Sequence, residues 1–218
     1  MGRRSLPKIQ GDLDLSRHFY LLEDFAAKER PWNPELLFHR NAPLELEIGS
    51  GKGLFIRNAA IQSQNHDFIG IEIAYRYALT SAAQLSKRNI NNAIMVNGDA
   101  ARILHEIVPD NSLHAIHVYF PDPWWKKAHK KRRILRQDVV IRIEQTLQTG
   151  GKFHFWTDVE EYYLTTLELL KQTTKLCGPF PVQETEASDD MDYRTHFERR
   201  TRLHEKPVYR TYFVKSEE

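Results

Sequence analysis

From Leu44 onward, short runs of β-branched and aromatic residues alternate with longer stretches whose apolar residues recur at helical spacing. Runs at 44–48, 67–73, 93–97, 113–120 and 152–157 read as strands, and 54–64, 75–88, 101–107, 137–146 and 160–175 as helices. Strands separated by helices predict right-handed crossovers and a mostly parallel sheet covered by helices on both faces. The β-rich piece at 208–214 is expected to add a terminal antiparallel strand. The expected fold is therefore α/β, with one domain over residues 44–218 and an N-terminal extension over 1–43. That extension has a basic start (Arg3, Arg4, Lys8) and a segment from Pro31 to Pro34 that breaks any helix. Such arms sometimes touch nucleic acid, but more often they are disordered or pack against their domain.

The first strand runs into Glu47-Ile48-Gly49-Ser50-Gly51-Lys52-Gly53, which opens a helix. Glycines at that junction allow a tight turn and close ligand approach, and the helix amino end favours an anionic group. The loop is not a P-loop, because Gly53 stands where Ser or Thr is required, nor a good dinucleotide fingerprint, because Leu54 takes the place of the third glycine. Acids then follow at successive strand ends. Glu72 closes the second strand, where a carboxylate can accept from ribose hydroxyls, and Asp99, followed by Ala100, comes after the third. Asp99 also fits as the cap of the next helix, and Glu72 as a solvated strand end.

The fourth strand ends at Phe120, and Pro121-Asp122-Pro123 fixes two φ angles around one carboxylate. Trp124 and Trp125 follow, then Lys126, Lys127, His129, Lys130, Lys131, Arg132 and Arg133. A proline turn is ordinary and a basic run is commonly a solvated face. Side by side, however, an acid, flat rings and cations suit phosphates and unstacked bases. Further on, Thr157-Asp158-Val159-Glu160 and Thr195-His196-Phe197-Glu198 both match the capping box, a purely structural device that can also fix an exposed neighbour such as Asp158. The acidic run at 184–192 reads as a solvated loop.

Composition narrows the picture. With 41% apolar residues in 218, the chain can bury a substantial core. The single Cys177 makes no internal disulfide and no Cys/His spacing resembles a zinc site, so a reducing, cytoplasmic setting without a metal is expected. No apolar run is long enough to span a membrane. The net charge is only +2, so any case for a nucleic-acid partner rests on placement: seven Lys and Arg fall between Lys126 and Arg136.

These residues resemble the tRNA (guanine-N7-)-methyltransferases, which modify guanine at tRNA position 46. The likeness runs in order over about residues 44–214: LEIGSGKG from Leu46, GIE ending at Glu72, GDA ending at Ala100, FPDPWWKK from Phe120, TD at Thr157 and TxFE ending at Glu198. The family often has Pro where this chain has Trp125 and a basic residue where it has Ala128. The resemblance implies a Rossmann-like class I fold with S-adenosylmethionine as methyl donor. It implies cofactor contacts from Glu47, Gly49, Gly51, Glu72, Asp99, Ala100 and Asp122, with Asp122 also the catalytic residue. It implies tRNA contacts from Lys126, Asp158, Thr195, His196, Phe197 and Glu198, to which the charge pattern adds Lys130, Lys131, Arg132 and Arg133.

Two other readings compete. A nicotinamide-dependent oxidoreductase accounts for the glycine loop and Glu72 but leaves the basic aromatic loop idle. A non-catalytic RNA-binding protein accounts for that loop but not for the row of acids. The expected partner is tRNA, and the chain is expected to act as a monomer or a homodimer.

Overall fold

A computed structural model describes residues 13–28, 32–183 and 193–217, without the side chains of Lys127 and Lys130. Arg3, Arg4, Lys8, Pro31 and the acidic run at 184–192 lie outside the described residues.

The described chain builds one eight-stranded sheet. Its strands are β1 (Phe19–Leu21), β2 (Leu44–Ile48), β3 (Asp67–Glu72), β4 (Ala93–Asn97), β5 (Leu113–Tyr119), β6 (Leu147–Thr157), β7 (Cys177–Pro181) and β8 (Tyr209–Val214). They lie in the order β1-β4-β3-β2-β5-β6-β8-β7. All pairings from β1 to β6 are parallel, while β8 is antiparallel to both β6 and β7. Helices cover both faces of the parallel strands, and β3 is buried along its whole length.

Among the described residues eight α-helices complete the fold: α1 (Leu22–Lys28), α2 (Glu35–Phe38), α3 (Leu54–Gln62), α4 (Tyr75–Lys87), α5 (Ala100–Glu106), α6 (Gln137–Thr146), α7 (Glu160–Thr173) and α8 (His196–Leu203). On one face, Phe25 of α1, Ile103 of α5, Val139 and Ile143 of α6 and Tyr162 of α7 close a large core over the strands. On the other, Ile56 and Ala60 of α3 pack with Ala82 and Leu85 of α4 over Phe68 and Met95.

The alternation in the sequence found the five central strands, their helices and the antiparallel β8. It missed β1 and β7. β1 has three residues inside a segment read as an extension, and it takes its place by pairing with Met95 to Asn97. With Phe25 completely buried, residues from 19 onward share the core of the sheet. β7 carries Gly178, Pro179 and Pro181, residues that ordinarily argue against a strand, and it survives as an edge paired on one side only. β6 also begins earlier than expected, at Leu147, which pairs with Leu113 ahead of a bulge, containing Gly150 at a φ of 77°, before Lys152 pairs with Ala115.

The register brings the strand ends level. Ile48 pairs with Ile71 and Val118, Glu72 with Asn97, and Tyr119 with Trp156. The segments following β2, β3, β4, β5 and β6 therefore emerge along one rim, the place where open parallel sheets hold ligands.

Candidate active site

The glycine loop is tied to its neighbours by its own backbone. Gly49 N and Ser50 N donate to Ile71 O at 2.8 and 3.0 Å, which bends the chain back over the end of β3. Gly49, Gly51 and Gly53 all have positive φ. A Cβ at Gly53 would meet Ser81 Oγ at 2.6 Å, whereas at Gly49 and Gly51 it would meet nothing within 4 Å. Gly53 is thus needed for packing on α4, and Gly49 and Gly51 face open space where a ligand can approach the backbone.

Glu72 bridges that loop to the next helix. Its carboxylate accepts from Gly51 N and from Ala74 N, both at 2.8 Å. It is far from a solvated strand end, with only 8% of the residue exposed. Asp99 is exposed and caps α5, accepting from Ala101 N at 2.9 Å. Its second oxygen remains available at the rim, beside the buried Ala100.

Glu47 is the unusual member. It is 4% exposed, and its Oε2 and the nearby Ser50 Oγ are buried with no hydrogen-bond partner among the described residues. Burial pushes its carboxyl up to about 8, the adjacent Ser50 hydroxyl offsetting part of the effect and the Glu72 charge adding to it. Buried polar atoms are nearly always paired, so an orphaned carboxylate oxygen behind a glycine loop marks a position shaped for a ligand.

Next to β2 in the sheet, β5 delivers the proline turn. Phe120 and Trp124 have φ of 50° and 46°, the left-handed region that bulky side chains rarely enter. Two strained residues therefore flank Pro121-Asp122-Pro123, and Asp122, exposed at the rim, is held from both sides. The strain is opposed by specific contacts. Phe120 N donates to Trp156 O at 2.8 Å, and Arg133 Nε donates to Pro123 O at 2.8 Å.

The basic loop divides into inner and outer parts. Residues Lys127–Arg132 form a 3-10 turn. Lys126, Lys131 and Arg132 are exposed, and the Arg132 guanidinium sits 5.1 Å from the centre of the Trp124 ring. Trp125 is 68% exposed, while Trp124 is partly covered, with His129 edge-on at 5.9 Å. The side chain of Lys130 lies outside the described residues. Arg133 turns inward. Only 7% exposed, it pairs with Glu161 at 2.7 Å and lies 4.3 Å over the Tyr162 ring, so its charge is engaged within the protein.

The two capping boxes have different outcomes. Thr157 Oγ1 accepts from Val159 N at 3.2 Å, a local turn, and α7 starts at Glu160 after Val159, an N-cap without a side-chain hydrogen bond. Asp158 stays exposed at the end of β6. At α8, Glu198 N donates to Thr195 Oγ1 at 3.0 Å and Arg194 N donates to Glu198 Oε2 at 2.7 Å. Glu198 is buried and meets Arg202 and Arg210 at 3.5 and 3.3 Å, whereas Phe197 is 49% exposed and stacks on Phe120 at 6.2 Å. The exposed His196 begins the helix. Through that stack α8 reaches the Asp122 turn.

Sequence reasoning overlooked Arg133 as a brace and Arg194, whose guanidinium lies 3.2 Å from Tyr119 Oη and 5.2 Å from the Trp156 ring centre. The stacking partners are far away in the chain, and no local pattern announces them.

A parallel sheet with a glycine loop after one strand, acids along the rim and an inserted antiparallel strand defines the Rossmann-like class I methyltransferases. In agreement, a solved S-adenosylmethionine-dependent O-methyltransferase from Thermotoga maritima superimposes with a TM-score of 0.52 at 16% identity, over 88% of this chain and 66% of that one. A family model described as "Putative methyltransferase" matches residues 41–211. A Rhodopirellula baltica protein named tRNA (guanine-N(7)-)-methyltransferase is 43% identical over 99% of this chain and 80% of its own length. One of the same name from Actinobacillus pleuropneumoniae is 35% identical over 85% of this chain and 74% of its own. The chain belongs to the tRNA (guanine-N7-)-methyltransferase family.

Proposed function

We propose that this protein transfers a methyl group from S-adenosylmethionine to guanine N7 in tRNA, at position 46 of the variable loop. The observation that carries the reading is the adjacency of two rim features on paired strands: the glycine loop with the orphaned Glu47 after β2, and the strain-locked Asp122 after β5. The oxidoreductase and non-catalytic readings are set aside, since the relatives that match nearly the whole chain are named as tRNA methyltransferases.

The residues present fit the donor. Gly49 and Gly51 leave room at the backbone, Glu47 offers an unpaired buried oxygen to a cationic group, and Glu72 and Asp99 stand where ribose and adenine amino groups can be bound. S-adenosylmethionine, when bound, supplies an electrophilic methyl on a sulfonium. Guanine N7 has an in-plane lone pair and no proton, so the protein needs no general base and acts by alignment and electrostatics. Asp122 stabilises the positive charge that grows on the purine and accepts a hydrogen bond from its edge. Arg133 is a positioning residue that holds the turn through Pro123 O. Lys126, Lys131 and Arg132, joined by Lys130, bind phosphates, and Trp125 offers a stacking surface to a displaced base. Asp158 and the segment from Thr195 to Glu198 line the tRNA side of the rim. Among the described residues no helix is long and apolar enough to cross a membrane, and we place the enzyme in the cytoplasm, where its tRNA substrate is made and used.

The test is incubation of unmodified tRNA with methyl-labelled donor, followed by digestion and mapping. Label on N7 of guanine 46 is expected; label on another base or an exocyclic nitrogen would replace the proposal.

A further inference from the structure

A second cluster lies at the opposite, amino end of the sheet. Glu45 on β2, His66 just before β3 and His114 on β5 each offer one ligand atom, and these atoms lie within 4.8 Å of one another. All three side chains are half-buried. Glu45 Oε1 is 2.5 Å from His66 Nδ1, and the rings of His66 and His114 meet edge to face at 4.9 Å. Glu45 is four residues before Gly49, which puts the cluster about 13 Å from the cofactor rim at strand spacing.

The surroundings hold these groups in place. Glu45 Oε2 is fixed by His117 Nε2 at 2.7 Å, and Gln148 Nε2 sits 3.0 Å from His114 Nδ1. The backbone carbonyl of His66 accepts from Arg40 Nη2 at 2.8 Å and from Asn92 Nδ2 at 3.0 Å. Burial and then the hydrogen bonds and charges of His117 and His66 act in opposite directions on Glu45, and the histidines win, holding its carboxyl down at about 2. Outer partners that orient a carboxylate and an imidazole are what metal sites require beyond their ligands.

We propose that Glu45, His66 and His114 form a binding site for a divalent cation of the zinc class, bound by two imidazoles and one carboxylate with a water completing the shell. This donor set suits zinc, cobalt(II) or nickel(II) and not the oxygen-seeking magnesium or calcium. Ligands at about 2.1 Å in a tetrahedron stand about 3.4 Å apart. The Glu45–His66 pair, at 2.5 Å, opens by about 0.9 Å and atoms up to 4.8 Å apart close by at most about 1.4 Å, within reach of small side-chain rotations. The ion would join β2, β3 and β5 at the end remote from catalysis. Its ligands come from separate elements, which is why spacing along the chain gave no sign of them.

The experiment uses tag-free, chelator-treated full-length protein titrated with cobalt(II), read by visible d–d absorption, with zinc as competitor. One saturating equivalent, displaced by zinc, is expected. His66→Asn and His114→Gln should each weaken binding at least tenfold while tRNA methylation stays at the wild-type rate, which also reports that the variants fold. Absence of a saturable one-to-one complex in the wild-type protein, or wild-type affinity in both variants, would overturn the site and leave a hydrogen-bonded cluster only. Neither outcome bears on the methyl-transfer assignment.

Discussion

Glu45 and Glu47 stand two residues apart on the same strand and the same face, yet they have opposite fates. Glu45 is satisfied by two histidines and is held as a carboxylate at about 2. Glu47 is more deeply enclosed, has an oxygen with no partner among the described residues and is pushed up to about 8. Burial alone does not distinguish scaffold from site; partnership does. A buried carboxyl with partners locks the fold, and one without them is left to meet something from outside. The basic loop repeats the division, with Arg133 enclosed and paired while Lys126, Lys131 and Arg132 face solvent.

The comparison can be broken at its braced members first. Arg133→Ala leaves Pro123 O and Glu161 without their partner and lets the Asp122 turn relax, so turnover should fall about a hundredfold with tRNA affinity changed far less. A fall in affinity alone would make Arg133 a phosphate ligand. Glu45→Gln should cost about 2 kcal/mol in chemical denaturation by leaving a buried imidazole poorly paired. Glu47→Gln should leave stability intact or raise it, while weakening donor binding about tenfold in calorimetry. If the two variants behave alike, the distinction between them is lost.

Their pH dependences sharpen the contrast, because the signs differ. Glu45, lowered from 4.5, contributes stability that is present above 4.5 and lost as pH falls toward 2. Glu47, raised from 4.5, contributes stability that is full below 4.5 and lost as pH climbs to about 8. Denaturation of donor-free protein between pH 5 and 9 should show the declining slope, and Glu47→Gln should flatten it. The smallest effect concerns the exposed cations. Neutralising Lys126, Lys131 and Arg132 together should reduce the salt slope of tRNA binding by up to about three, measured as log affinity against log salt.

Much of this was legible along the chain. The period of the apolar residues gave β2 to β6 and their helices, and the glycine loop and proline turn located the rim. Local signals failed where long-range contacts decide. β1 is three residues long and exists through pairing with β4. Arg133 reads as one more cation in a basic run until Glu161 and Tyr162 are placed beside it. The Thr157 box matches a cap by type, but the helix begins two residues later than a cap at Thr157 requires. Nothing in the sequence around Glu47 tells that its oxygen is unpaired, since that depends on what the fold leaves out.

The most direct test of the account measures Asp122→Ala under single-turnover conditions with saturating donor and unmodified tRNA, with donor affinity determined in parallel. The account predicts methyl transfer slowed at least about a hundredfold with donor affinity changed only modestly. Transfer at the wild-type rate would remove Asp122 from the chemistry and contradict the account.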